Sequence, residues 1–199
     1  MPRKPKQTCP QDADPNIAHA SGDVFLQNAL IFIDREMGKP LDVEPVPNLP
    51  HMIVAATEVC FALELYMKAM LIRLGIAPPW VHDLWVIFDK IPSHLRGQIE
   101  DEYQRRVAEL PSDRAAVRIL ELADGPLPDH KTYNRLPPLD TLEKLLVYCA
   151  DAFTTWRYLF AALPNGQPPK VFVFPMAQLR IIAEVLGTAQ MTVRRKESA

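Results

Sequence analysis

Cysteine is scarce in this chain: Cys9, Cys60 and Cys149 are its three, they lie far apart in sequence, and no C-x-x-C pair occurs. That spacing excludes a disulfide framework and a thiolate zinc site. Net charge is scarce as well. With 22 basic and 24 acidic residues the formal charge is −2, so the chain is neither a general polycation for nucleic acid nor an acidic tail. Any contact with RNA or DNA has to come from a local patch. The glycine-rich and catalytic signatures G-x-G-x-x-G, the P-loop, G-x-S-x-G and H-E-x-x-H are all missing. The five histidines, His19, His51, His82, His94 and His130, include no i, i+4 pair, so neither a metal nor a cofactor is expected.

A secretory signal is not expected either. The basic start at Arg3, Lys4 and Lys6 runs into the polar segment Gln7 to Pro15 rather than into an apolar stretch. The most apolar stretch, Ile53 to Leu74, contains Glu58, Glu64, Lys68 and Arg73, which a bilayer core penalises by several kcal/mol. No contact with a membrane is expected, and a reducing cytoplasm is the expected location.

What the chain does have is a sizeable hydrophobic share, 48%, and 20 prolines in 199 residues, about twice the usual 5%. The prolines cluster. Proline costs about 3 kcal/mol inside a helix, so helices are expected within the proline-free spans 16–39, 51–77, 93–110, 112–125, 139–163 and 176–199. Gly38, Gly75, Gly125 and Gly166 follow the ends of helix-like patterns, where a residue tolerant of positive φ closes the last turn. The expected fold is all-α: a bundle of about four or five long helices plus short ones. One domain is expected over 16–190, between a flexible N-terminal tail (1–15) and a C-terminal tail (191–199).

Periodicity supports this reading. Val24, Leu26, Ala29, Leu30, Ile31, Ile33 and Met37 put a wide apolar band on the first helix. The second, near His51 to Leu74, is apolar on nearly every side, Val54 included, and is expected at the centre. A short helix is expected from Leu84 to Ile91, more polar outer helices over 95–109 and 113–123, and a long helix from Leu139 to Leu163. A last helix begins near Met176. The run Val171 to Phe174 reads as a strand or an extended lead into it.

Polar residues in apolar surroundings are the candidate site. Glu64 and Lys68 stand four apart on the most apolar helix, and an ionised group buried without a partner is expensive. The expected cluster comprises Glu64, Lys68, His82, Asp83 and Arg157. In it Glu64 pairs with Arg157, and His82 or Asp83 meets Lys68. Asp83 also stands where the following helix should begin, able to accept orphan N–H groups. Such clusters more often fix packing than perform chemistry. Trp85 and Trp156 are expected in the core. Arg105, Arg106, Arg114 and Arg118 form a possible basic face, which Glu100, Asp101, Glu102, Glu109 and Asp113 dilute.

The segment Ala55 to Leu71, then Gly75, then His82-Asp83-Leu84-Trp85, resembles the core of HEPN-domain proteins. There a Glu and a Lys on a central helix precede a glycine loop and a helix that starts His-Asp/Asn-Leu. Phe153 to Tyr158 is similar to an aromatic-Arg-Tyr segment in one bacterial subset, and the likeness spans about Val24 to Ile182. The resemblance implies a helical bundle that often dimerises, in toxin–antitoxin, abortive-infection and other bacterial defence systems. Many such proteins are metal-independent RNases, whose motif is an Arg with a His four to six residues beyond it. Here no His follows Arg157, and eight residues separate Arg73 from His82. The expected function is therefore a noncatalytic module, homodimeric, that binds a partner protein or RNA in defence or stress response. The alternative is a toxin-like metal-independent RNase in which His82 and Arg157 form an atypical catalytic pair, base and phosphate-binding cation.

Overall fold

A computed structural model describes residues 13–37, 49–110, 117–118, 139–150 and 173–197. In chain order the elements are α1 (Pro15–Met37), α2 (Leu49–Arg73), α3 (Leu84–Phe88), α4 (Ser93–Ala108), β1 (Val117–Arg118), α5 (Leu142–Tyr148), β2 (Val173–Phe174) and α6 (Met176–Glu197). The fold is all-α, with four long helices and two short ones among the described residues.

Local chemistry sets the helix ends. Asp14 precedes α1 and its carboxylate accepts the Asn16 N–H at 2.7 Å, while Pro15 takes the first helical position, where its missing N–H costs nothing. α2 ends at Gly75, whose φ is +70°. The Gly75 N–H then reaches the Ile72 carbonyl at 3.0 Å and the Ile76 N–H the Leu71 carbonyl at 2.8 Å. This is the Schellman pattern, and glycine supplies the left-handed residue it requires. Asp83 caps α3 by accepting the Val86 N–H at 3.0 Å, and Thr141 caps α5 through Lys144 N–H at 3.3 Å.

α2 is the central helix, as its all-round hydrophobicity predicts. Ala55, Ala56, Val59, Ala62, Leu63, Met67, Ala69 and Leu71 have no exposed surface. α1 lies along one side of it, α6 along another, and α3 joins α2 to α5. Gly22 of α1 packs directly against the Tyr66 ring of α2. Tyr103 of α4 is fully buried and its hydroxyl donates to the Leu139 carbonyl at 3.2 Å. The outer edge is tied by a chain of charges. Arg180 of α6 bonds Asp34 of α1 and Glu184 beside it, and Glu184 accepts from Arg106 of α4.

Several expectations are corrected. The apolar band of α1 is wider than the face α2 covers: Ala29 and Ile33 are buried, but Val24 and Ile31 are 57% and 66% exposed. Val54 of α2 is also exposed, although its neighbours Ala55 and Ala56 are buried. Within 113–123, where a helix is expected, Val117–Arg118 forms a strand antiparallel to Val173–Phe174. The Val171–Phe174 run thus finds a partner in this two-residue ladder. α5 starts at Leu142 and ends at Tyr148, turning through Cys149 and Ala150, so the helix expected over 139–163 stops early. Its remainder, with Trp156, lies outside the described residues. Trp85 is partly buried against the core beside Phe88, their ring centroids 6.0 Å apart.

Two glycines on helices should respond oppositely to alanine. A Cβ on Gly22 would sit 2.8 Å from Tyr66 Cε1, and that ring is pinned by its hydroxyl hydrogen bond to Asp23 at 2.6 Å. Gly22→Ala should therefore cost about 1–2 kcal/mol net, overpacking outweighing the gain in helix propensity. A Cβ on Gly97 in α4 meets nothing within 4 Å, so Gly97→Ala should gain up to about 1 kcal/mol. Urea unfolding of the two variants measures both signs.

Candidate functional site

Glu64 projects from the middle of α2 and is only 4% exposed. Its nearest cation is one turn further along the same helix: Lys68 Nζ donates to Glu64 Oε1 at 2.7 Å. The ammonium donates a second time, to the Val81 carbonyl at 3.0 Å. His82 comes to the same carboxylate from the α2–α3 connection, with Nδ1 at 2.9 Å from Oε2 and 3.2 Å from Oε1. A carboxylate only accepts, so His82 Nδ1 carries the proton in this contact. The imidazole side chain is 54% exposed, whereas that of Lys68 is 17% exposed. The result is a graded site in which a buried anion and a nearly buried cation hold an imidazole at the surface.

The structure brings together Glu64, Lys68 and His82 from the expected cluster, in a different pairing. His82 binds Glu64 rather than Lys68, and what Lys68 meets from the connection is the backbone of Val81. The helix repeat explains the first partner: residues four apart stand one above the other, so Lys68 reaches Glu64 without a tertiary contact. Asp83 is engaged as the α3 cap through the Val86 N–H. Arg157 lies outside the described residues, and so does Arg114. Arg73 is nine residues from Glu64 along α2, about 13 Å at the helical rise, and donates instead to Asn16 Oδ1 at 3.2 Å.

A second polar group lies on the α1–α2 seam, and sequence reasoning missed it. The buried Tyr66 hydroxyl donates to Asp23 Oδ1 at 2.6 Å, and His19 lies edge-on to the Tyr66 ring with centroids 5.2 Å apart. Burial, then the Asp23 carboxylate, pushes the Tyr66 phenol above its ordinary range. The signal was present in the sequence as Asp23 beside Gly22 within an apolar band. Trp80, just before Val81 and His82, was also missed and is exposed.

Of the expected basic face, Arg105 and Arg106 are neutralised. Arg105 bonds both Glu102 and Glu109, and Arg106 bonds Glu102 and Glu184. Hydrogen bonds from Arg105 and Arg106 hold the Glu102 carboxyl down at about 2. Cys60 and Cys149, distant in sequence, are neighbours in the core and both are free thiols. Burial, then the Cys149 thiol, pushes Cys60 well above its ordinary value, which suppresses thiolate chemistry. Among the described residues no three His, Cys, Asp or Glu side chains group to hold a metal ion, and no helix is long and apolar enough to cross a membrane.

Residues 53–133 match the protein family described as HEPN domain. That stretch takes in α2 from Ile53 onward, the Glu64–Lys68–His82 site, α3 and α4. No curated protein and no solved structure matches the chain.

Removing Glu64 should expose the ion pair's asymmetry. Glu64→Ala leaves the Lys68 ammonium nearly buried with a single carbonyl partner, and should cost about 2–4 kcal/mol. Glu64→Leu combined with Lys68→Met should recover most of that, because the replacement pair is apolar and of similar volume. His82→Ala should cost under about 1 kcal/mol, as its ring is half exposed. Chemical denaturation of the three variants gives the ranking.

Proposed function

We propose that this chain, which carries a HEPN domain over residues 53–133, is a noncatalytic, homodimeric helical module that binds a partner protein or RNA in bacterial defence or stress response. The observation that carries this reading is the mutual engagement of Glu64, Lys68, Val81 and His82. Lys68 divides its ammonium between the Glu64 carboxylate and the Val81 carbonyl, and the Val81 contact, together with that of His82 to Glu64, ties the α2–α3 connection to α2. Those bonds position backbone. Cleavage of RNA by its own 2′-OH needs a cation at the scissile phosphate besides a base. Lys68 is held below the surface, and Arg105 and Arg106 are held by carboxylates. The Arg-x4-6-His spacing is also missing from the sequence.

One observation favours the second reading, a metal-independent RNase. A buried carboxylate on Nδ1 fixes the ring orientation of a half-exposed imidazole, and that is how a general base is commonly held. In that reading His82 takes the 2′-OH proton and Arg157 faces the phosphate.

The two readings separate in one assay. Purified protein is incubated with structured and single-stranded RNA in EDTA, beside His82→Ala whose fold is verified by circular dichroism. The expected outcome is no cleavage by either protein. Cleavage by the wild type that His82→Ala abolishes would replace the module with the enzyme.

A further inference from the structure

The exposed side of α1 is apolar over much of its length. From Ile17 to Ile31 its exposed positions are Ile17, Ala20, Val24, Gln27, Asn28 and Ile31. None of them is charged, and the half-exposed Asp23 carboxylate at the flank of the ridge is turned to the Tyr66 hydroxyl. Ile17, Val24 and Ile31 are 67%, 57% and 66% exposed and recur every seven residues, two helical turns, so they form one ridge along about 21 Å of helix. Apolar ridges stripped of charge are what the buried centres of protein interfaces look like, whereas a solvated helix face is usually rich in Lys and Glu.

We infer that this ridge is the contact between two copies of the chain, packed antiparallel about a two-fold axis at Val24. The inference rests on the homodimer reading above and deepens it by naming the face. Two features point to a second copy rather than another occupant. The ridge is symmetric about its centre: Ile17 and Ile31 stand equally far from Val24, so a two-fold axis there sets Ile17 of each copy level with Ile31 of the other. A contact of this kind is self-complementary, as two-fold interfaces must be.

The charges at its ends agree with the same arrangement. Asp14 lies just before the ridge, and Asp34 and Arg35 lie just after it. Asp34 is already paired with Arg180 of its own subunit, which leaves Arg35 as the local cation. Antiparallel packing brings Arg35 of one copy to the Asp14 end of the other, whereas parallel packing would bring Asp14 to Asp14 and Arg35 to Arg35. Opposite charges at the rim select orientation, and like charges there disfavour the alternative.

The test uses the full chain in a Cys9→Ser background, which leaves Cys60 and Cys149 buried. Sedimentation equilibrium should give twice the 22.5 kDa chain mass. Val24→Glu sets two carboxylates against each other on the axis, and should weaken self-association at least about a hundredfold with unchanged far-ultraviolet circular dichroism. Val24→Cys should form an intermolecular disulfide when treated with diamide. Ile17→Cys should not, since its two copies would lie about 21 Å apart. Crosslinking of both variants would mean parallel packing and overturn the axis. A dimer that Val24→Glu leaves intact and Val24→Cys does not crosslink overturns the α1 face while leaving the homodimer standing. A wild-type monomer at high micromolar concentration overturns both.

Discussion

The architecture depends on placing one carboxylate inside the helix that everything else packs against. α2 is enclosed by α1, α3 and α6, and Glu64 sits at its centre with almost no access to water. An ionised group in that position is tolerable only if its oxygens are all engaged. One oxygen is shared between Lys68 and His82 and the other is taken by His82. The need for a second partner is what draws the α2–α3 connection back along α2. Once Val81 and His82 are fixed, Asp83 stands where α3 must begin, and Leu84, Ile87 and Phe88 enter the core. A polar requirement within one helix thereby sets the path of the next.

Much of this was legible in the sequence because it is local. Gly75 after an apolar helix, Asp83 before Leu84 and the Glu64–Lys68 spacing are each decided within a few residues, by left-handed backbone, capping and the helical repeat. The all-round hydrophobicity of α2 likewise admits only a central place. What could not be read is which tertiary partner a polar residue would find. Among the described residues the partners of Glu64 are its own i+4 neighbour and a histidine 18 residues on, where a lysine–histidine contact was expected. Asp23 stands out as a polar residue in an apolar band, but nothing near it names the Tyr66 hydroxyl, 43 residues on, as its partner. Strand pairing of Val117–Arg118 with Val173–Phe174 is the same kind of long-range choice. Nothing within either segment specifies the other.

The apolar band of α1 shows how a sequence pattern and a fold can differ informatively. Periodicity identifies which residues are apolar and does not say how many faces are covered. α2 accounts for Ala29 and Ile33, with Phe25, Leu26 and Leu30 packed beside them, while Val24 and Ile31 lie outside that contact. Isolated exposed apolar residues need no explanation, since much of any protein surface is apolar. Three at a constant interval on one helix face are different, because they join into one continuous apolar strip.

Electrostatics also divides the molecule by role. On the outer edge, Asp34, Arg180, Glu184, Arg106, Glu102 and Arg105 form a continuous chain of alternating sign across α1, α6 and α4. Individually such exposed pairs contribute little, but together they engage the arginines that would otherwise form a basic patch. A phosphate approaching that edge would have to displace carboxylates already hydrogen-bonded to the guanidinium groups. At the Glu64 site the arrangement is inverted, with the anion buried, the lysine nearly so and the imidazole outermost. Catalysis on a phosphodiester requires base and cation at the same reacting centre. Between the Glu64 carboxylate and solvent stands His82 alone of the three, and the Lys68 charge is directed inward to Glu64 and Val81. The site therefore fastens the α2–α3 connection to α2, with Trp80 and the His82 ring exposed beside it.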